Sequence, residues 1–293
     1  MTIFESLVLG LVEGLTEYLP VSSTGHLIIT QYLLSLPDSD AMKAFEICIQ
    51  SGAIIAVLGL YFKRVRRMLA GLCGKDAAGL RLLVNMVVGF LPCAVVGLLC
   101  NDLIKDYLFN AHTVMIAWAV GGIVILLHAR SREREGAVFE SKELDELTWK
   151  GALTVGLMQC VAMIPGTSRS LMTVLGGLCA GLSVAAAVEF SFLLGLITLG
   201  AATAHDALKY GSTMLTDIGW APMLCGTVMA WASAVVAVKW MVGYLHRHSL
   251  AIFGWYRLAA AAVMLLLIFH GLNVETDEEK PAEETAVTLN AAL

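Results

Sequence analysis

The chain has 293 residues, of which 58% are hydrophobic and 15% are charged, and its formal net charge is −5. Soluble domains have roughly 45 to 50% apolar and about 25% charged residues, so this composition predicts an integral membrane protein and excludes an ordinary soluble domain. Apolar segments recur over residues 1–270, which predicts a single transmembrane bundle. Residues 271–293 are acidic and are expected to form a disordered tail.

Six apolar segments have the length of about 20 residues that crosses a bilayer. They are predicted near residues 43–62, 81–100, 112–129, 182–204, 219–243 and 252–270. Two longer apolar segments, 3–36 and 151–180, are each interrupted near the centre by a polar run. Because lipid cannot satisfy free backbone N–H and C=O groups, both are predicted to be re-entrant helical hairpins buried in protein. The predicted fold class is an all-α polytopic membrane protein with six spans and two re-entrant hairpins.

Lysine and arginine residues are concentrated in alternate loops. The rich loops carry Lys63, Arg64, Arg66, Arg67 and Lys75, then Arg130, Arg132 and Arg134, then Lys239 and Arg247. The other loops and the tail carry only Lys105, Lys209 and Lys280. The positive-inside rule therefore places the rich loops in the cytoplasm and both termini outside. No basic region precedes the first apolar stretch, so that stretch is expected to be retained and not cleaved as a signal peptide.

The two halves of the chain, about 1–130 and 151–270, repeat at an offset of 143 residues. The matched pairs are Thr24 and Thr167, Glu46 and Glu189, Gly52 and Gly195, and Ile54 and Ile197, with His26 opposite Arg169. Each half holds one hairpin and three spans, and an odd number of crossings inverts the second half relative to the first. An inverted repeat places its two broken helices opposite one another near the midplane, so the two polar runs are predicted to meet.

The first polar run contains two acids, Glu13 and Glu17, four residues apart. On a helix they share one face, where like charges repel and need a cation, a shared proton or a nearby arginine. Two carboxylates that leave positions open for phosphate oxygens suit Mg²⁺. The alternative is a polar stripe satisfied by neighbouring helices.

Three hydroxyls, a glycine and a histidine follow Pro20, in the order Ser22-Ser23-Thr24-Gly25-His26. They precede a new helical stretch, whose first N–H groups can bind an anion, although a serine there can equally be an ordinary N-cap. A folded-back hairpin could bring His26 near both acids, where it would act as a general acid or base or activate a serine nucleophile.

The second polar run, Pro165-Gly166-Thr167-Ser168-Arg169-Ser170, adds a permanent cation. Arginine pairs bidentately with phosphate through its planar fork. The alternative for Arg169 is an ion pair with a carboxylate, and Glu13 or Glu17 is then the expected partner.

Outside the two runs, Glu46, Gln50 and Glu189 are expected to make hydrogen bonds between helices, with a site role as the alternative. Arg257, in Trp255-Tyr256-Arg257, is predicted to be an interfacial anchor. The seven cysteines lack metal-binding spacing and are predicted to be small buried hydrophobes, with no redox or zinc site.

Three stretches, Glu13 through Leu27, Phe45 through Ile54, and Pro165 through Ser170, resemble the undecaprenyl-diphosphate phosphatase family, also called the bacitracin-resistance phosphatases. The resemblance implies hydrolysis of undecaprenyl diphosphate to undecaprenyl phosphate and inorganic phosphate, which recycles the carrier lipid for cell-wall synthesis. It implies a divalent cation, Mg²⁺ or Ca²⁺, on Glu13 and Glu17. It further implies catalytic roles for the same two acids, Glu13 and Glu17, and for Ser23, His26 and Arg169. The implied diphosphate ligands are Ser22, Thr24, Thr167, Ser168 and Arg169.

The same resemblance implies a bacterial plasma (inner) membrane protein whose active site opens to the periplasmic face. Its expected partners are the lipid substrate and membrane lipid, with no nucleic acid, and a homodimer stays open. The nucleophile is either Ser23, deprotonated by His26, or His26 itself, or an activated water.

Three other functional classes compete with this assignment. Inverted repeats with broken helices are also typical of transporters, so a polyprenyl-phosphate transporter or flippase is the main alternative. A membrane acid phosphatase with a Ser-Arg motif is rejected because Leu175 stands where its histidine would be. An intramembrane metalloprotease would need more histidine ligands.

Overall fold

A computed structural model describes residues 1–37, 39–108, 110–135, 141–213 and 218–272, so most of the predicted acidic tail lies outside the described residues. The helices in these ranges are α1 (Ile3–Thr16), α2 (Ser23–Leu33), α3 (Asp40–Leu60), α4 (Phe62–Leu72), α5 (Ala77–Leu108), α6 (Ala111–Glu135), α7 (Trp149–Val161), α8 (Arg169–Cys179), α9 (Val184–Thr213), α10 (Trp220–Leu245) and α11 (Ala251–Phe269). A 3₁₀ helix, Leu144–Glu146, precedes α7. The described ranges contain no β-strand beyond one isolated bridge, Lys142 with Leu182. The predicted all-α class is confirmed.

Six helices, α3, α5, α6, α9, α10 and α11, are long and apolar enough to cross a membrane. The predicted number of spans is therefore confirmed, and the chain is a multi-pass membrane protein. The predicted span ends at residues 100 and 204 agree with the candidate spans Ala77–Cys100 and Val184–His205, although the helices α5 and α9 themselves continue to Leu108 and Thr213. An apolar window marks the part of a helix that suits lipid, whereas the helix itself ends where its backbone hydrogen bonding ends.

The two polar runs each separate a pair of short helices, α1 from α2 and α7 from α8. These helices have 14, 11, 13 and 11 residues. At about 1.5 Å per residue none of them reaches the roughly 30 Å of a hydrocarbon core. The chain is thus broken where the sequence predicts, and the re-entrant placement of the two pairs in a membrane stays a prediction.

The first helix of each short pair packs across the two halves of the chain. Helix α1 packs on α10, and α7 packs on α5, while α3 pairs with α9 and α6 with α11. Glycines permit the approaches of α1 and α7: a Cβ on Gly10 would collide with the Gly226 carbonyl, and one on Gly156 with the Gly89 carbonyl. Each half therefore supplies the surface on which the first short helix of the other half rests, whereas α2 and α8 pack on helices of their own half.

Helices α2 and α8 begin with the same unusual backbone conformation. Ser22, the residue before α2, has φ 72° and ψ 107°, and Ser168, before α8, has φ 78° and ψ 115°. These serines lie 146 residues apart, so the predicted offset of 143 is wrong at the hairpins, and Ser23 rather than His26 corresponds to Arg169. The offset changes because the connection from α8 to α9 is shorter than the one from α2 to α3.

The three polar residues outside the runs make the expected bonds between helices. Gln31 donates to Glu46 at 2.5 Å, Thr203 to Gln50 at 3.0 Å, and Arg64 to Glu189 at 2.7 Å. The prediction for the cysteines is wrong, because all seven are half-buried or exposed. Cys73, which directly follows α4, and Cys179, the last residue of α8, are the two exposed ones.

Candidate active site

A continuous hydrogen-bonded chain joins the two polar runs through Glu17, at the end of α1. Its Oε2 accepts from the Ser23 hydroxyl at 2.7 Å, and its Oε1 accepts from Arg169 Nη2 at 3.1 Å. The Glu17 and Arg169 side chains are 7% and 10% exposed. The prediction that the two runs meet is confirmed. Arg169 forms an ion pair with a site carboxylate, which was the alternative given for this residue from the sequence.

The Arg169 guanidinium is held from two further sides. Its Nη1 donates to the Ser191 carbonyl at 3.1 Å, and its Cζ lies 5.4 Å from the centre of the Tyr18 ring. A Cβ at Gly195 would lie 2.6 Å from Nη1, so only glycine leaves room for this guanidinium. Three helices, α1, α8 and α9, thus fix the position of the cation.

Three polar atoms at this site are buried without a hydrogen-bond partner among the described groups. They are Oε1 of Glu13, the hydroxyl of Tyr18 and Nε of Arg169. Burying such an atom without a partner costs about 1–3 kcal/mol, so unpaired groups in a native site need an explanation. An anionic ligand would accept hydrogen bonds from the two donors, and a cation bound with it would contact the carboxylate oxygen.

The two acids fit a divalent cation by their remaining acceptor capacity. Glu13 is 2% exposed and Glu17 is 8% exposed, and a helical hydrogen bond of 2.9 Å from Glu17 N to Glu13 O keeps them on one face. A carboxylate has about four lone-pair sites, so Glu17 retains two after accepting from Ser23 and Arg169. Within the described ranges no group of three or more His, Cys, Asp or Glu side chains could hold a metal. A cation here would therefore need oxygens from another source, such as substrate phosphate, to complete its ligands.

The hydroxyls of the second run are mostly committed to the protein. Ser168 accepts from the Leu171 amide at 3.3 Å and lies 3.0 Å from the Ser170 hydroxyl, which donates to the Leu19 carbonyl at 2.8 Å. Thr167 is 8% exposed. Ser168 is therefore the N-cap of α8, and Ser170 makes the bond that ties the second run to the first.

In the first run, Ser22 is 4% exposed and its hydroxyl makes no capping bond to α2. Thr24, in the first turn of α2, is half-buried. A Cβ at Gly25 would clash with the Trp118 ring, so the glycine allows α2 to approach α6 closely. Because the Ser22 hydroxyl makes no capping bond, the first N–H groups of α2 lack a side-chain cap from this residue.

His26 makes its described hydrogen bonds away from Glu13, Glu17 and Ser23. Its Nδ1 lies 2.6 Å from the Ser22 carbonyl, and its Nε2 lies 2.7 Å from the Tyr256 hydroxyl. A carbonyl can only accept, so Nδ1 carries the proton and Nε2 is the nitrogen available for chemistry. The acceptor that the structure provides for the Ser23 hydroxyl is Glu17.

Three residues of this region were not assigned to the site from the sequence. Tyr18 lies inside the first polar run, so its position between two site residues was a signal that could have found it. Tyr256 was visible only as part of an aromatic cluster. Arg257 was predicted to be an interfacial anchor, which is wrong, because it is fully buried and donates to four backbone carbonyls. Neighbouring Trp255 and Tyr256 suggested an interface, but Arg257 lies on the opposite, inward face of α11.

Comparison with known proteins gives concordant results. The chain is 44% identical to undecaprenyl-diphosphatase 2 of Rhodospirillum rubrum over 270 residues, which cover 92% of this chain and 96% of that protein. It is 44% identical to undecaprenyl-diphosphatase 1 of Chromobacterium violaceum over 271 residues, 92% and 98% of the two chains. It is 42% identical to undecaprenyl-diphosphatase of Nitrosomonas europaea over 273 residues, 93% and 97%. The family model described as "Bacitracin resistance protein BacA" matches residues 6–263. Almost the whole described bundle is therefore covered, and the chain belongs to the BacA family.

Proposed function

We propose that this protein is a membrane phosphatase that hydrolyses undecaprenyl diphosphate to undecaprenyl phosphate and inorganic phosphate, and so recycles the carrier lipid for cell-wall synthesis. The observation that carries the proposal is the buried chain from Ser23 through Glu17 to Arg169, beside three unpaired polar atoms. A binding site alone would not need a nucleophilic hydroxyl in contact with a carboxylate. The family and the similar proteins agree with this chemistry.

In the proposed reaction the terminal phosphoryl group lies between Ser23 and Arg169. Ser23 Oγ attacks phosphorus as its proton passes to Glu17, the bond to the bridging oxygen breaks, and undecaprenyl phosphate leaves. Water then hydrolyses the phosphoserine. In the alternative, Glu17 takes the proton from a water that attacks directly, and the Ser23 hydroxyl holds that water in place. Trapping of a phosphoserine would distinguish the two.

Arg169 provides the charge that such a transition state requires. Phosphoryl transfer depends mainly on positioning and on stabilising charge on the phosphoryl oxygens. The Nε–H of Arg169 and the hydroxyl of Tyr18 are free to donate to those oxygens. The starts of α2 and α8 add N–H groups and the positive ends of two helix dipoles.

A divalent cation, Mg²⁺ or Ca²⁺, is part of the proposal. Glu13 and Glu17 would hold it together with phosphate oxygens, and it would supply further neutralisation of the diphosphate charge. Glu13 Oε1, which has no partner, supports this role. His26 would have to bind a second proton, on Nε2, before it could act as an acid, and the Nε2–H of that imidazolium is the proposed donor to the leaving phosphate.

The proposed location is the bacterial plasma (inner) membrane, with the site open to the periplasmic face. The support for this orientation is the concentration of basic residues in the loops that include α4, which the positive-inside rule assigns to the cytoplasm. The isoprenoid tail of the substrate would then lie among apolar helix faces while its diphosphate enters the polar centre.

The decisive experiment measures phosphate release from a polyprenyl diphosphate by purified protein in detergent, where transport has no meaning. Arg169→Lys keeps the positive charge but removes the planar guanidinium that can bind two phosphate oxygens, so kcat/KM is expected to fall about 100-fold. Arg66→Lys, on the exposed face of α4, is the matched control and should leave the rate unchanged. Absence of phosphate release by the wild-type protein would refute the enzyme assignment and favour the transporter alternative.

A further inference from the structure

Arg257, on α11, makes a set of contacts that the proposed reaction does not use. Its side chain is fully buried, and its guanidinium donates only to backbone carbonyls. No carboxylate among the described side chains contacts it. A Cβ at Gly121 would lie 2.5 Å from Nη2, so glycine on α6 makes the space in which the guanidinium lies.

Two of its bonds hold α6, and the other two hold one polar run each. Nε donates to the Trp118 carbonyl at 3.4 Å and Nη2 to the Ala117 carbonyl at 2.8 Å. Nη1 donates to the Pro20 carbonyl at 3.3 Å, and Nη2 also donates to the Gly166 carbonyl at 2.9 Å. Four of the five N–H donors of an arginine are thus used, and one side chain connects both runs to the wall of the bundle.

The two carbonyls from the polar runs are equivalent positions of the inverted repeat. Pro20 lies two residues before Ser22, and Gly166 lies two residues before Ser168, the two serines that share a positive φ. Arg257 therefore binds the same point of each run, although it belongs to only one half of the chain.

We propose that Arg257 is a positioning residue that sets the distance between the two polar runs, and with it the distance between Ser23 and Arg169. The inference rests on the proposed function for its kinetic readout. Trp118 and Ala117 anchor the guanidinium, so a movement of either run would have to break a bond to a fixed donor.

The test uses Arg257→Ala, which leaves a space of guanidinium size between the runs. The expected kcat falls about 100-fold, since misplacement of reacting groups by about 1 Å costs that much. KM should change less than about threefold, because Arg169 and the helix starts still bind the diphosphate. Methylguanidinium should restore kcat in this variant, whereas methylammonium at the same concentration should not.

Met264→Ala is the matched control for lost packing, because Met264 is fully buried on the same helix and lies in an apolar cluster that includes no residue of either run. It should reduce thermal stability without a guanidinium-dependent change in kcat. If Arg257→Ala keeps kcat within about threefold of wild type, or if methylammonium restores it equally well, the positioning role is wrong.

Hydrogen exchange separates this inference from the proposed function. Peptides that cover residues 18–26 and 163–171 should both exchange faster in Arg257→Ala, and methylguanidinium should slow both again. Faster exchange in only one of them would overturn the proposed coupling, whether or not the protein hydrolyses the lipid. Conversely, wild-type protein that releases no phosphate, with both peptides still coupled, would refute only the enzyme assignment.

Discussion

Replacement of Glu13 by glutamine should make the protein more stable and inactive at the same time. Glu13 and Glu17 are one helical turn apart and buried, and Glu13 Oε1 has no hydrogen-bond partner among the described groups. Side chains at this spacing are about 6 Å apart. Two unit charges at that distance repel by about 3 kcal/mol at an effective dielectric constant of about 20. Without divalent cations, and at a pH high enough to ionise both carboxyls, the free energy of unfolding should therefore rise by up to about 3 kcal/mol in Glu13→Gln.

The measurement is an SDS titration of the protein in mixed micelles, with EDTA or with Mg²⁺ or Ca²⁺. A cation at 100 times its Kd should stabilise the wild-type protein by about 2.7 kcal/mol. The variant should lose this response, because the cation and the substitution relieve the same repulsion. An equal response to the cation in both proteins, or a variant less stable than wild type in EDTA, would refute the reasoning.

Glu17→Gln provides the comparison. It also removes one negative charge from the pair of acids, but the protein is expected to become less stable instead of more stable. It removes the acceptor of Arg169 and weakens that of Ser23. Breaking a buried ion pair by removing one partner costs about 3–5 kcal/mol, so this variant should unfold at lower SDS concentration in EDTA than wild type. A gain in stability would show that repulsion from Glu13 outweighs the pair with Arg169.

Three further outcomes are expected. Gly156→Ala should destabilise the packing of α7 on α5 by about 1–3 kcal/mol, whereas Gly97→Ala, which meets only ordinary contacts, should be neutral or stabilising in the same titration. Ser22→Gly should gain about 1 kcal/mol by relieving a strained positive φ, whereas Ser22→Ala should not. The hydrogen bond from Arg67 holds the pKa of Asp76 below its usual range. The stabilisation that ionised Asp76 gives to the start of α5 is therefore fully present above the unfolded pKa of about 3.9, and it is lost only as the pH falls through the lower folded pKa. Amide exchange at the start of α5 between about pH 2 and 5 measures this loss.

Much of the fold follows from the length and polarity of successive segments. Six apolar stretches became six long helices, and the two polar runs became breaks between short ones. The spacing of Glu13 and Glu17 placed both acids on one helix face, and charge made one of them the expected partner of Arg169. These properties depend on local periodicity or on charge complementarity, which a sequence displays directly.

The direction of the His26 side chain could not be predicted in this way. It depends on the positive φ of Ser22, which turns the start of α2, and on Tyr256, which arrives from α11 more than 200 residues later. Arg257 was missed for a related reason. Its neighbours suggest a membrane interface, and only the packing of α11 on α6 shows that its own side chain points inward.

The crossed packing of the short helices has a consequence for biosynthesis. Helix α1 leaves the ribosome first, yet the surface on which it packs most extensively belongs to α10, one of the last helices to be made. Until α10 has been inserted, the face of α1 that carries its glycines has no packing partner. Glu17 likewise has no ion-pair partner before Arg169 has been synthesised. The site of the proposed reaction is therefore completed only near the end of synthesis, because a nascent chain stalled before α10 lacks the surface on which α1 packs.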